Sequence, residues 1–227
     1  MTFDEAYSSL PIVEPKGPYE SSLDYEKRLA TTQRRGGPLI VVSNQPIFRD
    51  VQTYDPDRRI FRLFTSVLGV GQLDLSSIFG RSTLKEDNFS SAVAFKAFEL
   101  ELSKDTYQTT NGFGAPVTVT RMKRQVGALW ERPGKLGESP FPSYKRGKPL
   151  AELQIEPNGA QDIIDRGTVA YLIEPRAPYT AQGKSSTTPS FRYPFEVEQD
   201  IKVIVGDIQC VYLRRGDGGM VAAIAVR

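Results

Sequence analysis

The sequence predicts an α+β fold that is mostly β: an antiparallel sandwich or partly open barrel with a helical N-terminal arm. Three observations carry this expectation. The apolar residues recur with a helical period before residue 36 and with a period of two from Pro38 onward. Turn residues separate the β-like runs, most clearly Gly216-Asp217-Gly218-Gly219 near the C-terminus. No regular alternation of helix and strand appears, which argues against a doubly wound α/β sheet. The 227 residues suffice for one domain with an appendage, and composition divides them into an arm at 1–36 and a β-rich domain at 37–227.

Within the arm, residues 2–10 read as a short helix that Pro11 stops, and residues 12–18 as a linker with two prolines and a glycine. Ser21 caps a second helix, with Asp24 facing the exposed first-turn amides. Tyr25 and Leu29, four apart, share one face of it. Arg34-Arg35 followed by Gly36-Gly37 supply the charge and the breaker expected at its end. Such a helix either lies on a sheet edge or leaves it to meet a partner.

Residues 39–43 form a short apolar strand. Residues 51–54 and 59–70 read as strands around the turn chemistry of Asp55-Pro56-Asp57-Arg58. In residues 95–102, Phe98, Leu100 and Leu102 face one way and Ala97, Glu99 and Glu101 the other. Residues 116–122 repeat the alternation. Residues 133–149 and 174–194, rich in proline and in small or polar residues, read as long loops and are the expected contact surfaces. Between them lie strands at 150–155 and 168–173 around a short helix at 160–165. Strands at 201–205 and 209–213 follow, and residues 209–226 close as a hairpin.

The chain contains no histidine and one cysteine, Cys210. Ser-His-Asp triads, Cys-His pairs, histidine-based zinc sites and an intrachain disulfide are therefore excluded. No phosphate-binding loop, dinucleotide fingerprint, nucleophile elbow or EF-hand loop occurs. No cofactor and no metal are expected. Carboxylate chemistry survives: Glu99 with Glu101, and Glu196 with Glu198, put paired acids on one strand face, an arrangement a hydrolase could use, although alternating glutamates on a strand are normally its solvated face. Asp55 and Asp57 serve their turn without a metal. The Gly112 and Gly114 pair suits a tight turn at Asn111–Gly114, with Phe113 plugging a core beneath it.

Net charge is +2, but residues 121–148 carry +6 and the remainder −4. Arg121, Lys123, Arg124, Arg132, Lys135, Lys145 and Arg146 interleave there with Trp130, Phe141 and Tyr144. That mixture can stack bases and neutralise phosphates, or meet an acidic protein or another anionic surface. These ten residues are the candidate binding surface, with a protein or an anionic surface favoured over nucleic acid as partner. No apolar run approaches the ~20 residues of a spanning helix. Arg215-Gly216-Asp217 and Pro175-Arg176-Ala177-Pro178 match short recognition patterns that their turns account for.

Tyr19-Glu20-Ser21 followed by Asp24-Tyr25-Glu26-Lys27-Arg28-Leu29 resembles the opening helix of a group of bacterial envelope proteins. In that group a Pro-Leu strand, a Tyr-Asp-x-Asp turn and an Asn-x-Phe-Gly segment follow in order; Pro38-Leu39, Tyr54-Asp55-Pro56-Asp57 and Asn111-Gly112-Phe113-Gly114 correspond, over residues 19–120. The resemblance implies a β-rich fold and a periplasmic or secreted location, and it transfers no catalytic residue. The opening MTFDEAYSSL lacks the basic-then-apolar layout of a secretion signal, so the cytoplasm is the alternative. The expected function is a non-enzymatic binding or structural module of the bacterial cell envelope. A polyanion binder using residues 121–148 and a carboxylate-dependent hydrolase are the alternatives.

Overall fold

The computed structural model describes residues 1–14, 16–32, 36–45, 47, 53–74, 91–110, 112–130, 148–190 and 192–226. The fold is α+β and mostly β, as the sequence predicts, and its two sheets are open. The large sheet has seven strands: β1 (Leu39–Val42), β4 (Val70–Asp74), β5 (Ser91–Thr110), β6 (Pro116–Trp130), β8 (Thr168–Thr187), β9 (Phe195–Arg214) and β10 (Met220–Ala225). Their order is β1-β8-β9-β6-β5-β4, and β10 pairs β9 beyond the end of β6. The small sheet is β2 (Tyr54–Asp55), β3 (Ile60–Leu63) and β7 (Ala151–Gln154). Three helices are described: α1 (Phe3–Ser8), α2 (Ser22–Thr31) and α3 (Pro157–Arg166).

Helix α1 starts in a reciprocal cap. Thr2 accepts from the Glu5 amide, and Glu5 accepts from the Thr2 amide. Phe3 and Ala6 on this helix, and Leu10 beyond it, are buried in the same core as Phe61, Tyr171 and Ile204 of the strands. Phe3 lies on Gly127 of β6, where a side chain would have no room. Just before α1, Met1 takes the Val42 amide and gives its ammonium to the Ile40 carbonyl, covering the free edge of β1. Helix α2 is capped by Ser21 as expected but buries no residue. It is held from outside: Arg28 clamps Glu20 at 2.8 and 2.9 Å, and the Tyr179 hydroxyl reaches Thr32 at 2.8 Å. Helix α3 opens on Pro157, where the ring costs no hydrogen bond, and buries Ala160 and Ile163.

The large sheet buries both faces near its middle. One face carries the main core with α1, α3 and the small sheet. The opposite face carries Val126, Ala128 and Trp130 of β6 with Ile201, Val203 and Val205 of β9. Strands covered on both sides read as continuous apolar runs, as 126–130 and 203–205 do.

Several expectations change. Residues 59–70 are not one strand: β3 ends at Leu63, and turns precede β4. In β3, Ile60, Phe61 and Leu63 are all buried, so the strand has no solvent face. Residues 174–194 are not a long loop, because β8 runs on to Thr187. Pro178 fits because residues 176–179 bulge out between two paired stretches of β8 and so need no ladder bond. Opposite the bulge, Gly206 lets the Glu174 and Pro175 backbone approach closer than any side chain would permit. Residues 201–205 and 209–213 belong to one 20-residue strand. The β6–β9 pair is parallel, whereas the other described strand pairs are antiparallel. The expected C-terminal hairpin is β9–β10, closed by a turn over Arg215–Gly219. Of the other expectations, Pro15, Arg34, Arg35, Asn111 and residues 133–147 lie outside the described residues.

Candidate functional site

Four strands run out beyond the core side by side: β5, β6, β9 and β8. At about 3.3 Å per residue, a 20-residue strand is roughly 65 Å long, more than one core can cover. Residues 100–110 of β5 are exposed apart from half-buried Tyr107. The β5–β6 hairpin goes furthest. Pairing of β6 with β9 begins at Thr120–Phe195, whereas β5 and β6 continue, with no other strand beside them among the described residues, to Thr110–Pro116. At the turn, Phe113 is 98% exposed. Phe113 therefore plugs no core, contrary to the sequence reading; the arm there is two strands wide, too thin to enclose one.

Register arranges the charges of this projection in columns. Arg121 of β6 lies opposite Glu196 of β9, and Lys123 opposite Glu198; Asp200 of β9 lies opposite Lys184 of β8. Asp105 of β5 completes the row beside Arg121. Successive strands thus read acidic, basic, acidic and basic on one face. The pairs close at 3.3 Å for Arg121–Glu196, 3.2 Å for Lys123–Glu198 and 3.7 Å for Lys184–Asp200. Such half-exposed pairs contribute about 0.2–1 kcal/mol each, and their larger effect is on register. A one-residue slip would move every charge to the other face.

The best-organised member joins three strands. Tyr107 donates to Glu196 at 2.9 Å, Arg121 donates to the same oxygen, and the guanidinium lies 4.9 Å from the Tyr107 ring centre. The Tyr107 hydroxyl, helped by Arg121, holds the Glu196 carboxyl below the usual carboxylate range. The same carboxylate raises the Tyr107 phenol and the Arg121 guanidinium above their ordinary values. A phenol that resists ionisation serves as a hydrogen-bond donor, not as a base. Nearby, a polar groove of about 400 Å³ crosses the strands, lined by Leu102, Lys123, Arg124, Lys184–Ser186 and Glu198–Asp200.

The predicted binding residues fare differently. Arg121, Lys123 and Arg124 are brought together on β6, but each meets an acid: Glu196, Glu198 and Glu99. Their combined positive field is correspondingly small. Trp130 is 3% exposed, inside the second core cluster, and offers no face for stacking. Arg132, Lys135, Phe141, Tyr144, Lys145 and Arg146 lie outside the described residues. Glu99 is bound by Lys96 at 2.5 Å and Arg124 at 2.8 Å, while Glu101 is exposed. Asp55 accepts from the Arg58 amide and pairs with Arg62, as its turn requires. In the Arg215-Gly216-Asp217 turn, the Gly216 amide is held by Asp162 of α3.

Sequence reasoning missed Tyr107 and the pairing of Glu196 and Glu198 with Arg121 and Lys123. The signal was present as two i, i+2 charge runs of opposite sign, but the parallel pairing that joins them is not local. Compared with protein-family models, curated proteins and solved structures, the chain matches none.

Proposed function

We propose that the chain is a non-enzymatic binding or structural module that engages its partner through the projecting strands. One observation carries the reading: the β5–β6 hairpin extends past every other described strand and ends in an exposed aromatic residue. The core does not need this extension. From Thr109 to Val117 no described residue is buried. Exposed backbone edges and exposed aromatics are features that protein partners use. The resemblance over residues 19–120 supports the bacterial cell envelope as the setting and another protein, or an anionic surface, as the partner.

The test removes the tip alone. Replacing residues 109–117 by Asn-Gly joins Gln108 to Thr118, already cross-strand neighbours, through a favoured two-residue turn. A tagged copy recovered from its own host should run in a larger complex as wild type and as a monomer once shortened, with unchanged thermal stability. If both forms elute identically, the reading is wrong.

A further inference from the structure

We infer that the far end of the projecting strands seats on an anionic lipid surface: the β5–β6 tip enters the bilayer interface, and the β8–β9 turn rests among the headgroups. This rests on the binding-module reading and names the partner of the projecting hairpin as a bilayer.

The tip is an exposed apolar run. Gly112, Phe113, Gly114, Ala115 and Pro116 are all exposed, and half-buried Val117 follows. Such a run on a surface is a liability unless a function uses it. Gly114 holds φ 80°, a conformation open to glycine, and so turns the chain directly after Phe113. The Phe113 ring, 98% exposed, offers about 150–250 Å² for burial. A stable protein interface takes about 800 Å² from each partner, and a tip with one large side chain falls short of that. An aromatic ring entering a bilayer interface needs no complementary surface.

Charge points the same way. Residues 106–120 contain no charged residue, and residues 185–195 contain one, Arg192. The two turns lie at the same end, because β6 and β9 both start there and run parallel. The Pro194 carbonyl accepts from the Thr120 amide at 2.9 Å, which ties the second turn to the first hairpin. Arg192, Tyr193 and Phe195 are exposed on it. Behind them Glu196 is already paired with Arg121 at 3.3 Å, and Asp105 lies about 17 Å back from the Thr110–Pro116 end. Strand edges cannot lie bare in hydrocarbon, so entry stops in the interface, about 5–10 Å deep. Pro116 stands about 13 Å beyond Thr120. The second turn then meets the headgroup layer, where tyrosine favours the boundary and arginine pairs with phosphate.

Flotation of the full chain with vesicles tests this, using phosphatidylglycerol mixed equally with phosphatidylcholine, and phosphatidylcholine alone. The wild type should float with the mixed vesicles, and more weakly with phosphatidylcholine or at high salt. Phe113→Ser should lower partitioning by about tenfold or more on both. Arg192→Gln should lower it by about fivefold on the mixed vesicles only. Tyr19→Ser, fully exposed but outside the projecting strands, should leave it unchanged. Phe113→Trp reads the contact directly: its emission should shift to the blue and be quenched by lipids brominated in the acyl chain, against the constant emission of buried Trp130. A wild type that ignores both vesicles, partitioning indifferent to Phe113→Ser, or a Phe113→Trp emission that neither shifts nor is quenched overturns the inference. A chain that ignores vesicles yet loses its host complex when the tip is shortened has a protein partner there, which refutes the lipid contact alone and leaves the binding-module reading intact.

Discussion

Replacing Gly127 by alanine puts a methyl group into the ring of Phe3. The new carbon would lie 2.6 Å from Phe3 Cδ1 and Cε1 and 2.8 Å from Cζ, where relaxed carbon contacts are about 3.5–4.0 Å. The ring must therefore retreat by about 1 Å. It has little freedom to do so, being 2% exposed and stacked against Tyr7 at 6.0 Å and Phe98 at 6.2 Å. Overpacking of this kind costs about 1–3 kcal/mol, offset by about 0.5–1 kcal/mol for replacing glycine in a strand. The net loss spans about 0–2.5 kcal/mol, and the rigid, stacked ring puts it in the upper part of that range, at about 1–2 kcal/mol. With an unfolding entropy of about 2.1 cal/mol/K per residue, that lowers Tm by about 2–4 °C. Scanning calorimetry measures it. The second arm is Phe3→Leu in both backgrounds: the smaller side chain should cost less once alanine has replaced Gly127, with a coupling of about 0.5 kcal/mol or more. An unchanged or higher Tm for Gly127→Ala, or strictly additive costs, would refute the docking of α1 on β6.

Two further perturbations probe the same fold. Tyr171, buried where its phenol is pushed well above its ordinary range by desolvation, donates to the Leu68 carbonyl at 3.0 Å; Tyr171→Phe leaves that acceptor unpaired and should cost about 1–3 kcal/mol in denaturant unfolding, and a neutral result would contradict the bond. Glu20 is drawn down to about 2, first by its hydrogen bonds from Arg28 and then by the Gly17 amide. Its folded value is depressed, so its contribution is complete above the ordinary carboxylate value of 4.5 and is lost as pH falls toward 2. The protection factors of the α2 amides, measured against intrinsic exchange at each pH, should fall over that window in the wild type, and Glu20→Gln should already be poorly protected at neutral pH with a flatter acid profile; identical profiles would discount the clamp.

Local signals in the sequence translated well into structure. Ser21 caps α2, and the glycines at 216–219 close β9–β10, because caps and tight turns are decided by a few adjacent residues. The strand-rich class followed from the period of two. What was not legible depends on phase or on distant partners. Bulges between Lys96 and Phe98 and between Glu101 and Ser103 reset the alternation in β5, so a strict period assigns later side chains to the wrong face. Pro178 resembles a loop residue until the bulge of β8 is known. The basic run at 121–124 resembles an anion site until Glu196, Glu198 and Glu99 arrive from two other strands. Trp130 resembles a stacking platform until the second face of the sheet is seen to be covered.

The central claim is that the projecting hairpin makes the contact on which function depends. A photo-crosslinking amino acid placed at position 113, in the living host, tests it most directly, with the same group at fully exposed Tyr19 as control. A discrete adduct from position 113, and none of the same size from position 19, is the predicted result. No adduct from position 113, or the same adducts from both positions, would contradict the account.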